Sequence, residues 1–538
     1  MSTQAPLPSR RMNLTIVSSR IFTGDASRPW AEAVCIQDNQ IAAIGTNAEV
    51  KAASPEHAEV LELPGRLITP GFVDAHTHFL TLGMTLQWVD LRNVPSLDAC
   101  RQRIHAAVAT RQPGDWIIGR GWNHHFWQED REPTRQDLDD LTPNNPAMMI
   151  RACGHSVWVN SLALQQAGIT RDTPDPPGGQ IDKDPVSGEP TGLLREARHL
   201  IEAHIPPATL EERKQAALAA QREMLRFGIT GIRSMEKLQQ LEALLELDQE
   251  SFLKLRLYHL LPPPELEEAA SRGIKAGWGS EHLWFGQAKI FADGSLGADT
   301  ALLHEPYLHK PESYGLPFLT PQELREYVEL AYSYDCDVAI HAIGDKAVTN
   351  ALDAIAAARQ AYPDRQSRDT IEHVQLVRPQ DFQRFLDLGI TASPQPPFIA
   401  TDWNVAMKKW GPERCKTAYA LKTFLDYGIP LQFSSDTPVE LCSPLLGLQA
   451  AVTRQTPEGE PPGGWFPEQR LTLEESIRGY TSRYAWTFRR EDRLGSLAPG
   501  KWADLTIFSQ DLFHVEPQNW PSVNVEMTIV HGEIAYHV

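Results

Sequence analysis

The stretch that decides the fold is Ile68-Thr69-Pro70-Gly71-Phe72-Val73-Asp74-Ala75-His76-Thr77-His78. Its centre, 71–75, is an extended apolar run typical of a buried strand, and His76 and His78 follow at its end. Because alternate residues of a strand point to the same side, both imidazoles can bind one metal ion. The pair therefore predicts a metal site at a strand end, although an isolated His-x-His is more often two unrelated polar loop residues.

Downstream of this strand, strand-like and helix-like segments alternate, which is the pattern of βα units around a parallel sheet. Seven further runs complete a set of eight predicted strands: 229–233, 255–260, 288–291, 338–341, 370–373, 390–393 and 431–434. Helices are predicted after a Thr209–Glu212 capping box and at 346–361 and 379–388. Eight such units favour an α/β fold of the (β/α)8 TIM-barrel type over an open doubly wound sheet.

The two ends of the chain predict a separate β unit. Short strands are expected at 14–17, 33–36, 40–44, 504–508, 525–530 and 533–536. Half-sheets at opposite ends of a chain commonly pair, so residues 1–66 and 496–538 are predicted to form one composite β-sandwich. The TIM-barrel domain then spans 67–495. It includes an insertion at about 80–207, which is longer than an ordinary βα crossover and contains a ninth strand-like run at 148–152.

Other metal-binding residue types lie at the ends of later predicted strands. Lys289 is a lone lysine between apolar residues, where an unpaired ammonium is costly; as an uncharged amine it could react with carbon dioxide and bridge two metals as a carbamate. His341 and His373 end successive strands. Asp436 follows the eighth, where a carboxylate could contact a metal and take a proton from bound water.

Each of these residues alone is more often a polar core residue, an ion-paired lysine or a turn aspartate. Their order, on predicted strands 1, 4, 5, 6 and 8, makes the set specific, because the carboxyl ends of barrel strands meet at one face. The predicted metal ligands are His76, His78, Lys289, His341, His373 and Asp436. Asp436 is also the predicted catalytic residue.

In this order of residues the chain resembles the amidohydrolase superfamily. Its longer motifs resemble amidohydrolase family 3, the branch that includes N-substituted formamide deformylases. The matching stretches are 68–78, 154–161, 293–297, 341–345 and 495–505. The resemblance covers nearly the whole chain and implies a deformed TIM barrel with a composite sandwich.

The resemblance also implies a site for two metal ions. One ion is held by His76, His78 and Asp436, the other by His341 and His373. Carboxylated Lys289 bridges the two. Zinc is favoured by the imidazole-rich donor set, but manganese, iron or cobalt would also fit, and some members of the family use one ion.

Three residues of the insertion match family positions and are predicted to bind substrate: Trp122, His155 and Asn160. His155 is the residue most expected to face the substrate. A structural hydrogen bond within the insertion is the alternative.

The function expected from these residues is hydrolysis of a C–N bond, an amide, in a small molecule by a metal-bound hydroxide. Asp436 would take the proton of the hydroxide and deliver it to the leaving amine. A deaminase, typically with one metal and a separate glutamate, and a lactonase remain alternatives on the same scaffold. A non-catalytic scaffold protein would be expected to have lost ligands, and none is missing.

The composition limits the partners and the location. Fifty Lys and Arg against 69 Asp and Glu give a formal charge of -19, the wrong sign for binding nucleic acid. The sequence has no apolar run of roughly 18 residues, and residues 1–12 contain no apolar segment after their arginines, so neither membrane association nor export is expected. A cytoplasmic location is the default expectation, and a homodimer is the assembly expected on general grounds.

Overall fold

The computed structural model describes residues 13–17, 19–129, 131–152 and 154–538. The chain divides into two compact units. One comprises Arg213–Val538 with the described residues up to Gly83, and the other is Met84–Glu212. Residues 1–12, on which the expectation of no export signal depends, lie outside the described residues. Among the described helices, none combines the length and the apolar character that crossing a membrane requires.

Strands from both ends of the chain form the β-sandwich. Its first sheet has the order Gln40–Gly45, Ala33–Gln37, Asn13–Val17 and Glu59–Glu62. Its second sheet has the order Glu533–His537, Val525–Val530, Leu505–Phe508, Leu67–Pro70, Arg20–Phe22 and Trp30–Ala31. The antiparallel pairing of Leu67–Pro70 with Leu505–Phe508 joins the two ends of the chain. Ile16, Ile36 and Ile507 share one apolar core, which confirms the predicted composite sandwich.

Seven parallel strands form a nearly closed barrel, and the predicted TIM-barrel architecture is confirmed. Their order is Phe72–Thr77, Ile229–Met235, Arg256–Leu261, Leu283–Phe291, Asp337–Ala342, Thr370–His373 and Thr391–Ser393. Almost every residue of these strands is buried, as in parallel sheets whose outer face is covered by helices. The apolar runs that predicted the strands follow from this burial.

The predicted eighth strand, 431–434, occupies its place without forming a regular strand. On one side the Gln432 N–H donates to the Ala392 carbonyl at 3.1 Å, and on the other the Ala75 N–H donates to the Phe433 carbonyl at 3.1 Å. Pairing with the first strand continues, since the Asp436 N–H donates to the His76 carbonyl at 3.0 Å and the His78 N–H donates to the Thr437 carbonyl at 2.9 Å. The chain turns at Asp436, whose φ is 59°. The barrel is therefore closed by a short irregular segment that ends at a predicted metal ligand.

Helices follow or precede the barrel and sandwich strands. They are Asn47–Ala53, Phe79–Leu86, Leu210–Arg226, Leu238–Gln249, Leu266–Ser271, Pro321–Ser333, Asp345–Ala361, Pro379–Asp387, Pro397–Lys409, Pro412–Cys415, Leu421–Asp426, Pro444–Thr453, Leu473–Thr481 and Arg483–Thr487. The predicted capping box is present before Leu210–Arg226, since the Glu212 N–H donates to Thr209 Oγ1 at 3.3 Å and the Thr209 N–H donates to Glu212 Oε2 at 2.7 Å.

The unit Met84–Glu212 contains a mixed sheet of its own. Its strand order is Gln180–Lys183, Pro190–Arg195, Ser156–Val159, Ala147–Arg151, Ile117–Trp122 and Val89–Asp90. Its helices are Leu97–Val108, Gln136–Asp139, Ser161–Gln166 and His199–Glu202. The strand-like run at 148–152 belongs to this sheet, so it adds no strand to the barrel. The predicted domain limits of 1–66, 67–495, 496–538 and about 80–207 stay predictions.

One close helix contact gives a test of the packing. A Cβ built on Gly83, in the helix Phe79–Leu86, would lie 1.9 Å from the Ala216 carbonyl oxygen of the helix Leu210–Arg226. Because the obstacle is backbone, we expect Gly83→Ala to lower the free energy of unfolding by about 1–3 kcal/mol, measured by urea denaturation. Gly297→Ala is the control, since its added Cβ would meet nothing within 4 Å. Equal stability of both variants would contradict the close approach.

Candidate metal centre

His76 lies at the end of the first barrel strand and is 1% exposed. Its Nδ1 is 2.8 Å from Oε2 of Glu372. Because a carboxylate can only accept, Nδ1 carries the proton and Nε2 keeps a free lone pair. Burial, followed by the charge of Lys289, holds the pKa of His76 well below its usual range. The imidazole therefore stays neutral, which is the form that binds metal.

Glu372 is held in turn by Arg233, and both side chains are fully buried. Arg233 Nη2 donates to Glu372 Oε1 at 2.5 Å, and Nη1 donates to Gln287 and Thr370 at 3.0 Å each. Burial alone would raise the pKa of Glu372, but the charges of Arg233 and Lys289 bring that pKa below its usual value. Glu372 is thus an ionised acceptor inside the barrel.

Asp436 faces the two histidines of the His-x-His pair. Its Oδ1 lies 3.4 Å from His76 Nε2 and 3.3 Å from His78 Nε2. The same oxygen is buried and has no hydrogen-bond partner among the described residues. The two imidazole nitrogens and the Asp436 oxygen therefore converge on one point without forming hydrogen bonds to one another. This arrangement is suited to binding a cation.

His373 and His341 lie side by side, with ring centroids 4.3 Å apart. His373 Nδ1 donates to Gln395 Oε1 at 2.8 Å, which leaves Nε2 free. His341 Nε2 donates to the Gly294 carbonyl at 3.0 Å, which leaves Nδ1 free. Burial lowers the pKa of His341 to about 3 and holds that of His373 well below its usual range, so both rings are neutral.

Lys289 lies in the strand Leu283–Phe291 and is 4% exposed. Its Nζ is 4.8 Å from the centre of the Phe291 ring and has no hydrogen-bond partner within the described part of the chain. Desolvation lowers the pKa of the amine to about 8, although the charges of Glu372 and Asp436 oppose this shift. A buried amine without a hydrogen-bond partner is energetically costly, and the carboxylation of Lys289 stays a prediction.

These six residues fit a divalent cation. His76, His373 and Asp436 offer ligand atoms that all lie within 4.8 Å of one another. His78 reaches Asp436, His341 packs on His373, and Lys289 interacts electrostatically with His76 and His341. Neutral imidazoles with one carboxylate are the donor set of zinc and related metals. The role of each residue as a ligand stays a prediction.

The three residues predicted to bind substrate lie in the unit Met84–Glu212. Trp122 is buried and its Nε1 donates to a backbone carbonyl at 2.7 Å. Asn160 is buried and caps the helix Ser161–Gln166. The His155 side chain is 66% exposed, with Nδ1 3.1 Å from Glu196 Oε2. Trp122 and Asn160 thus have structural contacts within this unit, and substrate contact by the three stays a prediction.

The sequence did not single out three residues that hold the ligands in place. Arg233 and Glu372 carried a usable signal, because a charged side chain inside a buried barrel strand is as unusual as Lys289. Gln395 carried none, since it lies in a loop two residues after the strand Thr391–Ser393.

Comparison with known proteins agrees with this geometry. The sequence model of the amidohydrolase family matches residues 59–536. The Arabidopsis thaliana protein LONG AFTER FAR-RED 3 is 33% identical, over 97% of this chain and 91% of its own. The N-substituted formamide deformylase of Arthrobacter pascens is 28% identical, over 97% of this chain and 98% of its own. A crystal structure of an uncharacterized metal-dependent hydrolase from Pyrococcus furiosus is 31% identical, covers 92% of this chain and 99% of its own, and has a TM-score of 0.79. These findings support metal-dependent hydrolysis.

The hydrogen bond to His373 gives a test of the centre. Gln395→Leu removes the acceptor that keeps the His373 proton on Nδ1, so we expect zinc affinity to fall by about 10- to 100-fold. Competition with a chromogenic chelator measures it. Gln221→Leu is the control, because Gln221 is also buried but its Oε1 accepts from the Lys254 N–H, away from the site. Unchanged zinc affinity in Gln395→Leu would exclude the orienting role.

Proposed function

Because this chain belongs to the amidohydrolase family, as its match over residues 59–536 shows, we propose that it hydrolyses an amide C–N bond of a small molecule. The predicted family resemblance is thereby confirmed. The convergence of His76, His373 and Asp436 at the carboxyl ends of barrel strands carries the proposal. An amide is favoured over an ester because a relative that matches nearly the whole chain is a deformylase of N-substituted formamides.

We assign His76, His78 and Asp436 to one ion and His341 and His373 to a second, with carboxylated Lys289 between them. Such ions, most simply zinc, would lower the pKa of a bound water and polarise the substrate carbonyl. The pKa of Lys289, about 8, supports the carbamate. Near neutral pH part of the amine is unprotonated, and its nitrogen can bond to the carbon of carbon dioxide with release of one proton.

The chain's own residues have distinct tasks in this scheme. Glu372 keeps the His76 proton on Nδ1, and Gln395 does the same for His373, so both rings present Nε2 to the site. Asp436 Oδ1 has no hydrogen bond to give up. It can therefore accept a proton from the attacking water and pass that proton to the nitrogen of the leaving amine.

A deaminase is the second candidate function, and one observation favours it. Glu236 is a buried glutamate whose Oε1 accepts from the Leu80 N–H at 2.8 Å. Burial raises the pKa of Glu236 to about 7, and the nearby His78 opposes the rise. A carboxyl group that titrates near neutral pH beside a predicted ligand is suited to the separate acid–base glutamate of a one-metal deaminase.

Substitution of Lys289 tests the two-metal form of the proposal. We expect Lys289→Ala to lose at least one metal ion per chain and about 100-fold or more in kcat/KM, because the bridge between the ions is gone. Elemental analysis and turnover of the same sample measure both. The control is Lys422→Ala, a lysine that pairs with Glu475 and Asp426 away from the site. Full metal content with full turnover in Lys289→Ala would rule out the bridge.

A panel of substrates tests the reaction type. N-substituted formamides and other neutral amides are expected to be hydrolysed by the zinc-loaded protein, with turnover abolished by a chelator and restored by zinc. Asp436→Asn should lower kcat by about 10²- to 10⁴-fold, because it can no longer accept the proton. Ammonia release from aminated purines or pyrimidines would establish the deaminase instead, and cleavage of lactones alone would establish an esterase.

A further inference from the structure

A cavity of about 590 Å³ opens at the opposite end of the barrel from the metal centre. It is lined by Tyr258, in the strand Arg256–Leu261, and by Trp284 and Gly286, early in the strand Leu283–Phe291. Lys289 lies later in that second strand, toward its carboxyl end. We call this space the amino-end cavity. Its size is within the range of pockets that hold a small organic ligand.

Aromatic rings form one wall of the amino-end cavity. Tyr258 and Trp284 are stacked, with centroids 5.8 Å apart and an interplanar angle of 29°. Phe488 packs on both rings, at 5.0 Å from Tyr258 and 5.8 Å from Trp284. Each of the three rings is only 2% exposed, so they pack mainly on one another and fix the position of Tyr258 at the cavity.

Basic residues also line the cavity. Arg365, Arg489 and Arg490 line it, against one lining carboxylate, Asp335. The buried Asp337 pairs with Arg365 at 3.0 Å and with Arg489 at 2.8 Å. In the described ranges of the chain, Arg490 forms no ion pair, and its guanidinium carbon lies 5.6 Å from the centre of the Trp284 ring. The chain has more acidic than basic residues, with a formal charge of -19, so an arginine without an acidic partner is unexpected and is available to bind an anion.

A hydroxyl group without a partner completes the site. Tyr258 is 2% exposed, and its hydroxyl has no hydrogen bond to any described residue. The hydroxyl borders the cavity because Gly286 has no side chain, and a Cβ there would lie 2.5 Å from that oxygen. The hydroxyl is therefore available at the cavity to donate to a ligand.

We propose that the amino-end cavity binds a small organic carboxylate. Its carboxylate would accept hydrogen bonds from the Arg490 guanidinium, whose Nε is buried without a hydrogen-bond partner among the described residues, and from the Tyr258 hydroxyl. A singly charged group is preferred to a phosphate dianion, because Asp335 and the Asp337 carboxylate behind the arginines repel additional negative charge. Since the residues involved belong to the other end of the strands, this binding is independent of the metal centre and of the proposed hydrolysis.

Calorimetric titration of the full chain with 2-naphthoate tests the proposal, with 2-naphthamide as the neutral analogue of the same shape. We expect one naphthoate per chain with a Kd below about 1 mM, and binding of the amide at least about tenfold weaker. The titration is run on zinc-loaded and on chelator-treated protein. We expect equal affinity in the two states, because the cavity lies at the other end of the barrel from the metal centre. Loss of binding on metal removal would indicate that the carboxylate binds to the metal instead.

Two substitutions assign the binding to the cavity. Arg490→Gln should weaken naphthoate binding by about tenfold or more, and Tyr258→Phe, which keeps the ring, by about threefold or more. Arg493→Gln is the matched control, because Arg493 is close in the sequence but pairs with Asp492 and does not line the cavity. Circular dichroism and the melting temperature confirm that each variant is folded. Absence of saturable binding, equal binding of the amide, or wild-type affinity in both cavity variants would overturn the proposal.

Discussion

The buried chain of contacts from Arg233 through Glu372 to His76 is the interaction on which the centre depends. It links the second, sixth and first barrel strands inside the barrel. Removing one partner of a buried ion pair costs about 3–5 kcal/mol, because the other charge is left without compensation. Here the pair also fixes the proton of His76 on Nδ1. The same contacts therefore stabilise the barrel interior and orient His76, a predicted metal ligand.

Around the contacts between Arg233, Glu372 and His76, the parallel barrel brings the predicted ligands to one end. Irregular backbone then orients their side chains. His373 and Asp436 both have positive φ values, 71° and 59°. The backbone therefore leaves the extended conformation at each of these two predicted ligands. A positive φ is costly for a non-glycine residue and is tolerated where the surrounding structure imposes it. The hydrogen bonds that His373 donates to Gln395 and His341 donates to the Gly294 carbonyl then determine which ring nitrogen each histidine leaves free.

The two ends of the barrel differ in their chemistry. At the carboxyl end, neutral imidazoles and an oxygen without a hydrogen bond create a site for cations. At the amino end, arginines and the Tyr258 hydroxyl form the proposed site for a small carboxylate. The strand Leu283–Phe291 contributes to both, with Lys289 at one end and Trp284 at the other. One strand can serve both sites because its residues are separated along its axis by about 3.3 Å each.

The sequence by itself determined the barrel, the composite sandwich and the order of the candidate ligands, because each follows from local patterns: buried apolar runs, strand ends and motif spacing. Arg233, Glu372 and Gln395, the proton positions of the histidines and the amino-end cavity were decided only by the tertiary structure. The reason is that they depend on contacts between distant residues. Glu372 lies 139 residues from Arg233 and 296 from His76 in sequence. Local patterns predict which residue types end each strand, but packing decides which of them meet.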